Sequence, residues 1–210
     1  LYVTNYPGCT SLYEPNPDII NLFTGIGTDD GNFTVIEKRK IKTHKLKEIK
    51  EINKVDVVKI DTQGSELDIL KNFEKKITEV LIIESEVEFV ELYKDQPLFF
   101  DMQNFLNKNG FVLHKLIDIG GRPFRPWVVN NNPAIPISQL LWADAIFVRD
   151  FSKLDKFSDE DLLKISLFLH EIYNSYDLCY YFLREYDQRN KLKLSEIYRK
   201  YINSEKKLNL

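Results

Sequence analysis

The sequence predicts an α/β domain with a mostly parallel sheet, followed by a helical extension. From residue 55 onward, apolar runs rich in β-branched residues alternate with helical patterns, which is typical of this fold class. Of the 210 residues, 43% are hydrophobic, which is enough to build a packed core. After Asp150 the apolar residues change to helical spacing. We therefore assign residues 1–150 to the α/β domain and residues 151–210 to the helical extension.

Short elements are predicted in the first 54 residues. The start, "LYVT", indicates a strand, and "NPDIINLF" indicates a short helix. Asn16 is suited to cap this helix, Pro17 to occupy its first position and Gly25 to end it. The segments "NFTVIEK" and "KIKTHKL" then predict two short extended runs.

Residues 55–150 are expected to supply the main sheet. "VDVVKI" is continuous and β-branched, as is typical of a strand covered on both faces. Ser65 and Asp68 have the spacing of a capping box, so Ser65 is predicted to cap the next helix. The later elements are the helix "SELDILKNF", the strand "VLIIES", the helix "FFDMQNFLNKN", the strand "FVLHKLI", a loop at 118–138 and the strand "LLWADAIFVR".

The extension is predicted to be helical from Ser158, with a further amphipathic helix over 193–201. Several apolar residues of the first part lie close to one helical face: Leu162, Ile165, Leu169, Ile172, Tyr173 and Tyr176. A stripe of this width must be covered by the sheet, by a neighbouring helix or by a second copy of the chain. Because two-fold dimers are the commonest assembly, a homodimer through these helices is one expectation.

Composition excludes several classes of partner. The net charge of −3 argues against a dedicated nucleic-acid binder, whose domain is usually basic. No apolar run approaches the roughly 18 residues that span a bilayer, and no signal peptide is recognisable. Cys9 and Cys179 show no metal or redox spacing, and no His/Asp cluster does, so no metal is predicted. Two free thiols favour a reducing, cytoplasmic compartment.

Acids follow two of the predicted strands. Asp61 comes directly after the strand at 55–60, at the edge of the sheet where ligands of open α/β folds bind. No cap needs Asp61, so it is a site candidate, with a structural ion pair as the alternative. Glu66 lies in a first helical turn, where its carboxylate equally suits the helix dipole. Glu84 and Glu86 end the next strand and are expected to face the same crevice, unless they belong to a solvated loop.

A resemblance to a known family rests on this region. "DVVKIDTQGSELDILKN" is similar to the signature of FkbM-type methyltransferases, which transfer a methyl group from S-adenosylmethionine to a hydroxyl oxygen. The matching residues are Lys59, Ile60, Asp61, Gly64, Glu66 and Leu70. Gln63 stands where many members carry Glu. The likeness continues in "PGCTSLYEPN", "KTHKLKEI", "LIIESEVEFVELYKDQPLFFDMQNFLNKNGFVLHKL" and "QLLWADAIFVRD", and so covers about residues 1–150.

The resemblance implies a class I methyltransferase, Rossmann-like sheet of which this chain holds the C-terminal part. The glycine-rich cofactor turn and the ribose-binding acid of the family are expected upstream of Leu1. "TGIGTDDG" does not replace them, because it follows a short helix and leads into an extended run rather than opening a helix. The chain alone is therefore expected to bind S-adenosylmethionine weakly or not at all, and to be inactive by itself.

The resemblance also implies roles for individual residues. Asp61, Gln63 and Glu66 are the catalytic candidates, with Asp61 accepting or orienting the proton of the attacking alcohol late in the transfer. Ser11 and Asp61 are candidates for cofactor contact. The candidates for binding the acceptor are Glu84, Glu86 and Arg122, the last on the loop "RPFRPW", for which simple loop packing is the alternative. The acceptor is expected to be a hydroxyl of a saccharide, other glycan or secondary metabolite.

A non-catalytic protein is the alternative from another class. Such an interaction module would keep the α/β sheet and bind a partner through the aromatic helical tail. A nucleotide-dependent oxidoreductase is disfavoured, because no dinucleotide fingerprint is present. The basic stretch "EKRKIKTHKLKEIK" has no stacking platform for a nucleic acid and predicts a solvated face.

Overall fold

The computed structural model describes residues 1–49 and 51–204. The chain separates into two compact units, Leu1–Arg149 and a second unit that begins at Asp150. The strands of the first unit are β1 (Tyr2–Thr4), β2 (Val35–Lys38), β3 (Val57–Ile60), β4 (Ile82–Glu88), β5 (Phe111–Gly121) and β6 (Leu140–Arg149). Its helices are α1 (Pro17–Ile20), α2 (Glu66–Lys71) and α3 (Phe99–Lys108), and its 3-10 turns are Pro7–Cys9, Leu46–Glu48 and Glu74–Glu79.

The main sheet has four strands in the order β3-β4-β6-β5. Only β3 and β4 pair in parallel, whereas β6 runs antiparallel to both β4 and β5. The prediction of an α/β fold is confirmed, but the expected mostly parallel pairing is wrong. The reason is the loop between β5 and β6, which contains no crossover helix, so β6 returns antiparallel and inserts between two strands that share one direction. β1 and β2 form a separate antiparallel pair.

Strand β3 is covered less completely than the sequence predicts. Val58 and Ile60 are buried, while Lys59 projects from the other face with 62% of its side chain exposed. The Lys59 ammonium pairs with the carboxylates of Glu84 on β4 and Asp144 on β6. The strand that the sequence predicts to be covered on both faces therefore has one exposed polar side chain, Lys59, which pairs with acids of β4 and β6.

Two hydrophobic clusters stabilise the first unit. The larger cluster lies where α2 and α3 pack on one face of the sheet, and it includes Leu70, Ile83, Leu106 and Phe147, which are all fully buried. The smaller cluster joins the N-terminal loops to the segment after β4 and to the start of β6. Its buried members are Cys9, Ile20, Phe23, Ile26, Phe33, Leu92, Tyr93 and Leu141. The N-terminal segment thus covers the sheet at the edge where β3 and β4 end.

Helix caps follow the sequence in some places only. Asn16 accepts a hydrogen bond from the Asp18 amide and caps α1, as predicted, although α1 ends at Ile20, before Gly25. Ser65 is the N-cap residue of α2, as predicted, but the capping hydrogen bond is absent, because the Ser65 hydroxyl donates to the Thr62 hydroxyl instead. The Asp68 carboxylate accepts from the Tyr13 hydroxyl at 2.7 Å.

The second unit contains α4 (Asp159–Glu171), α5 (Tyr176–Asn190) and α6 (Leu194–Ser204), after a 3-10 turn at Leu154–Lys156. Ser158 and Asp161 form the capping box of α4. The buried Asp187 carboxylate accepts from the Leu194 and Ser195 amides and so caps α6. No helix among residues 1–49 and 51–204 is long and apolar enough to cross a membrane.

The apolar stripe of the second unit is partly as predicted. Leu162, Ile165, Leu169 and Tyr173 are buried. Ile172, the C-cap residue of α4, is instead 54% exposed. Cys9 and Cys179 are both free, as the sequence predicts, and both are buried.

Arg149 should be essential for the stability of the first unit. Its guanidinium donates to the carbonyls of Val80, Asn109 and Ile77 at 2.5–3.0 Å and lies 4.0 Å from the centre of the Phe111 ring. Arg149→Met removes these hydrogen bonds and the contact with the Phe111 ring, so we expect the free energy of unfolding in urea to fall by about 2–4 kcal/mol. The exposed Arg39→Met is the control and should change stability little; equal losses in both variants would contradict this assignment.

Candidate functional site

A pocket of about 380 Å³ lies at the edge of the sheet where β3 and β4 end. Its polar lining comes from Asn32, Asp61, Gln63, Glu86, Glu88 and Arg122. The remaining lining residues are Tyr6, Gly8, Cys9, Ile26, Phe33, Leu92 and Trp142. The floor is thus provided by strand ends, and the N-terminal loops supply much of the wall.

The turn after β3 has an uncommon backbone conformation. Gln63 and Gly64 have φ angles of 58° and 100°, in the left-handed region that favours glycine. The buried Glu66 carboxylate holds this turn, because it accepts hydrogen bonds from the amides of Thr62 at 2.5 Å and Gly64 at 2.9 Å. The Ser11 hydroxyl adds a hydrogen bond of 2.5 Å to the carbonyl of Gln63. A side chain of the following helix, Glu66, and one of a distant segment, Ser11, therefore fix the backbone at Gln63.

The Gln63 amide connects the acids of the two strand ends. Its Nε2 donates to Oδ1 of Asp61 at 2.9 Å and to Oε2 of Glu86 at 2.5 Å. Its Oε1 accepts from the hydroxyl of Tyr93 at 2.8 Å. Tyr93 is fully buried and also lies 3.0 Å from the carbonyl of Cys9. Tyr93 thereby orients the amide so that its two donors face the carboxylates.

Three carboxylates meet at this point. Oxygen atoms of Asp61, Glu66 and Glu86 lie within 4.8 Å of one another, a spacing that a metal ion also requires. The sequence analysis named all three acids as site candidates but predicted no metal. In the structure Glu66 is engaged by backbone amides, and the Gln63 amide donates to the other two, so the described side chains already provide donors for the cluster.

Burial changes the acidity of the carboxyl groups along β4. Burial, together with the charges of Glu88 and Asp61, raises the pKa of Glu86 to about 10. Burial, followed by the charge of Glu66, raises the pKa of Glu88 to about 8. The pKa of Glu66 is also raised by burial, although its hydrogen bonds oppose the shift. At neutral pH Glu86 and Glu88 therefore hold their protons and can donate as well as accept hydrogen bonds.

The pocket lining also includes a cation, Arg122. The Arg122 guanidinium lies over the indole of Trp142, 5.0 Å from the ring centre, and its Nη1 donates to the carbonyl of Gly121 at 2.7 Å. Trp142 pairs across the sheet with Gly120, where a Cβ atom would come within 2.1 Å of the indole. Only glycine leaves room for Trp142 at this position.

The loop that contains Arg122 is attached to the N-terminal segment. Arg125 donates through Nε to the carbonyl of Phe23 at 2.8 Å and through Nη2 to that of Ile26 at 2.6 Å. The Thr24 amide donates to the carbonyl of Pro123 at 2.9 Å. Arg122 is consequently presented by a loop that is fixed at two neighbouring positions.

The structure brings four of the seven predicted site residues to the pocket: Asp61, Gln63, Glu86 and Arg122. Glu84 lies elsewhere, because β4 extends to Glu88 and so places Glu84 in mid-strand, paired with Lys59. Glu66 and Ser11 do not line the pocket; their side chains instead form hydrogen bonds with the backbone of the turn that contains Gln63.

Sequence reasoning missed several pocket residues. Glu88 continues the alternation of Glu84 and Glu86 along one face of β4, and this spacing of two was a usable signal. Tyr93 and Trp142 carry no comparable signal, because their roles depend on contacts with Gln63 and Arg122 that are remote in sequence.

The described residues do not form the cofactor turn that the resemblance implies. Residues 24–31 connect α1 to β2 and do not link a strand to a helix. The turn between β3 and α2 does link them, but its Thr62 and Gly64 amides are taken by Glu66, so they are not offered to a ligand. The described part of the chain therefore does not fit a complete site for S-adenosylmethionine.

Comparison with known proteins identifies one family. The sequence model described as the methyltransferase FkbM domain matches residues 3–113, which is more than half of the chain. No curated protein and no solved structure matches the chain significantly. The matched range includes Asp61, Gln63 and Glu86, so the resemblance predicted from the sequence is confirmed.

Stability should depend on pH through Glu88. Its raised pKa means that the folded chain keeps this proton, whereas the unfolded chain releases it above about pH 4.3. Stability from this group is thus present at low pH and is lost as the pH rises towards 8. Relative to Glu88→Gln, the wild-type free energy of unfolding in urea should fall by up to about 1.4 kcal/mol per pH unit between pH 5 and 8.

Glu91→Gln serves as the control, because Glu91 is exposed and lies outside the pocket lining. The difference between this variant and the wild type should not change with pH. A Glu88→Gln difference that is equally constant would mean that Glu88 ionises normally in the folded chain.

Proposed function

Because the chain belongs to the FkbM methyltransferase family, we propose that it acts in methyl transfer from S-adenosylmethionine to a hydroxyl oxygen of a saccharide, other glycan or secondary metabolite. The observation that carries this proposal is the position of Asp61. It is the exposed acid of the cluster, lies at the end of β3 and lines a pocket of about 380 Å³. A cavity of this size suits a small hydroxyl compound.

The pocket residues suggest how a hydroxyl would be held and deprotonated. Asp61, fixed by Gln63, can accept the proton of the acceptor hydroxyl as positive charge develops on its oxygen. Protonated Glu86 can donate to a neighbouring oxygen of the acceptor, which suits compounds with several hydroxyl groups. Since the described residues do not form a cofactor turn, these steps concern the acceptor alone.

The fold is compatible with a Rossmann-like methyltransferase sheet, and this finer assignment is also our proposal. β3, β4 and β5 share one direction, and the connections that include α2 and α3 pack on one face. In the described part of the chain, β3 pairs with β4 only. A strand beside β3 would extend the sheet in the way such a fold requires.

Asp61→Asn should lose most methyl transfer, by about 10²–10⁴-fold, because the proton acceptor is removed while the hydrogen bond from Gln63 can remain. The measurement uses the natural gene product, methyl-labelled S-adenosylmethionine and a panel of saccharide and polyol acceptors. Asp95→Asn makes the same chemical change at an exposed position outside the pocket lining and should retain activity. Near-normal turnover of a folded Asp61→Asn variant would refute the proposed role.

A second role, protein association, is favoured by a groove in the second unit. Apolar side chains of α4, α5 and α6 line a depression of about 390 Å³, in which Leu167 and Ile197 are 58% and 65% exposed. Exposed apolar surface of this kind marks association sites. We propose that a second copy of the chain covers it, which would also fit a non-catalytic interaction module.

Ile197→Glu should convert this dimer to a monomer, because a carboxylate would be desolvated in the apolar contact. Light scattering of both proteins at equal concentration measures the mass. Ile172→Glu, at an exposed apolar position outside the groove lining, is the control and should stay dimeric. A monomeric wild-type chain would rule out the proposed assembly.

A further inference from the structure

Arg122 faces the same pocket as the acids but does not pair with them. The charges of Glu86 and Arg122 both act on the thiol of Cys9, so the two groups lie near the same pocket residue. Within residues 1–49 and 51–204, no carboxylate oxygen lies within ion-pair distance of the Arg122 guanidinium. The acids hydrogen-bond to Gln63 instead.

Several N–H donors of the Arg122 guanidinium make no hydrogen bond with the described residues. Nη1 uses the carbonyl of Gly121, whereas the enclosed Nε has no acceptor among the described residues, and Nη2 makes no hydrogen bond with them. Arg125, three residues later, uses the corresponding atoms for two carbonyls. A partly buried cation without a counter-charge is costly, so its retention in a pocket points to a ligand that supplies the charge.

The Arg122 side chain is also preorganised. Trp142 supports one face of the guanidinium, and Gly120 gives Trp142 the space to do so. A planar guanidinium that is held in one orientation can offer two parallel N–H donors to a carboxylate or phosphate. Little side-chain entropy would then be lost on binding.

We propose that Arg122 binds an oxyanion of the methyl acceptor, so that the substrate class is an anionic hydroxyl compound, such as a sugar that carries a carboxylate or a phosphate. The inference rests on the proposed function, because it places the acceptor in this pocket. The acids that share the pocket with Arg122 repel an anionic ligand only weakly, since Glu86 and Glu88 are protonated, and therefore uncharged, at neutral pH.

Binding of small probes tests the proposal without methyl transfer. Protein-observed NMR titrations with D-glucuronate, D-glucose 6-phosphate and D-glucose should give at least one anion a Kd about tenfold or more below that of D-glucose. Arg122→Gln should abolish this preference, while Arg39→Gln, an equal charge change at an exposed position outside the pocket lining, should keep it. Arg122→Lys should retain part of it, because the charge remains and the planar fork does not.

Three results would overturn the proposal: equal affinity for D-glucose and both anions, a preference that survives Arg122→Gln, or no binding of either anion at about 10 mM. Titration with S-adenosylhomocysteine distinguishes the other source of a carboxylate. If Arg122→Gln lowers the affinity for S-adenosylhomocysteine but not for the sugar anions, Arg122 binds the carboxylate of the methyl donor and our assignment is wrong. Should the anion preference fail while Asp61→Asn still loses methyl transfer, the proposed function stands without this inference.

Discussion

The hydrogen bonds of the Gln63 amide are the interaction on which the pocket depends. Asp61 and Glu86 stand at the ends of neighbouring strands, where two adjacent carboxylates disfavour their charged forms. The amide donates to both, and Tyr93 fixes which way the amide faces. A glutamate at position 63, which many family members carry, would replace this donor by another acid. Compared with a glutamate, the amide thus leaves one acid fewer at the sheet edge and supplies a donor to the two that remain.

The backbone that presents Gln63 is costly by itself and is stabilised from outside the turn. A left-handed conformation at a residue other than glycine costs roughly 1 kcal/mol. Glu66 accepts from the amides on both sides of Gln63, and Ser11 donates to its carbonyl. This arrangement explains why Glu66 matches the family signature although it does not line the pocket. Its carboxylate stabilises the backbone of the turn, and this backbone determines the positions of Asp61 and Gln63.

Local sequence patterns predicted many of the helices and strands, because the spacing of apolar residues depends on which face of an element is buried. The helix over Phe99–Lys108 and the strand over Leu140–Arg149 follow directly from hydrophobic periodicity. The pairing of β6 between β4 and β5 is a tertiary choice that no local pattern records. Asp61 was predictable because it follows a buried strand, but the position of Glu84 depended on where β4 ends. The role of Tyr93 arises from a contact over thirty residues, which composition and spacing do not contain.

The two sides of the pocket have different origins in the chain. Asp61, Gln63 and Glu86 lie inside the range that the family shares, which ends at residue 113, whereas Arg122 and Trp142 lie beyond it. The acids of the pocket thus lie within the range that matches the family model, and the loop and strand after residue 113 supply the cationic residue. Trp142 supports the Arg122 guanidinium, and Arg125 ties the same loop to the N-terminal segment. In our proposal, a ligand with a hydroxyl group and an oxyanion would place the oxyanion at Arg122 and the hydroxyl towards Asp61. A charge that binds one group of the ligand orients the whole molecule, so that one hydroxyl among several is presented for reaction.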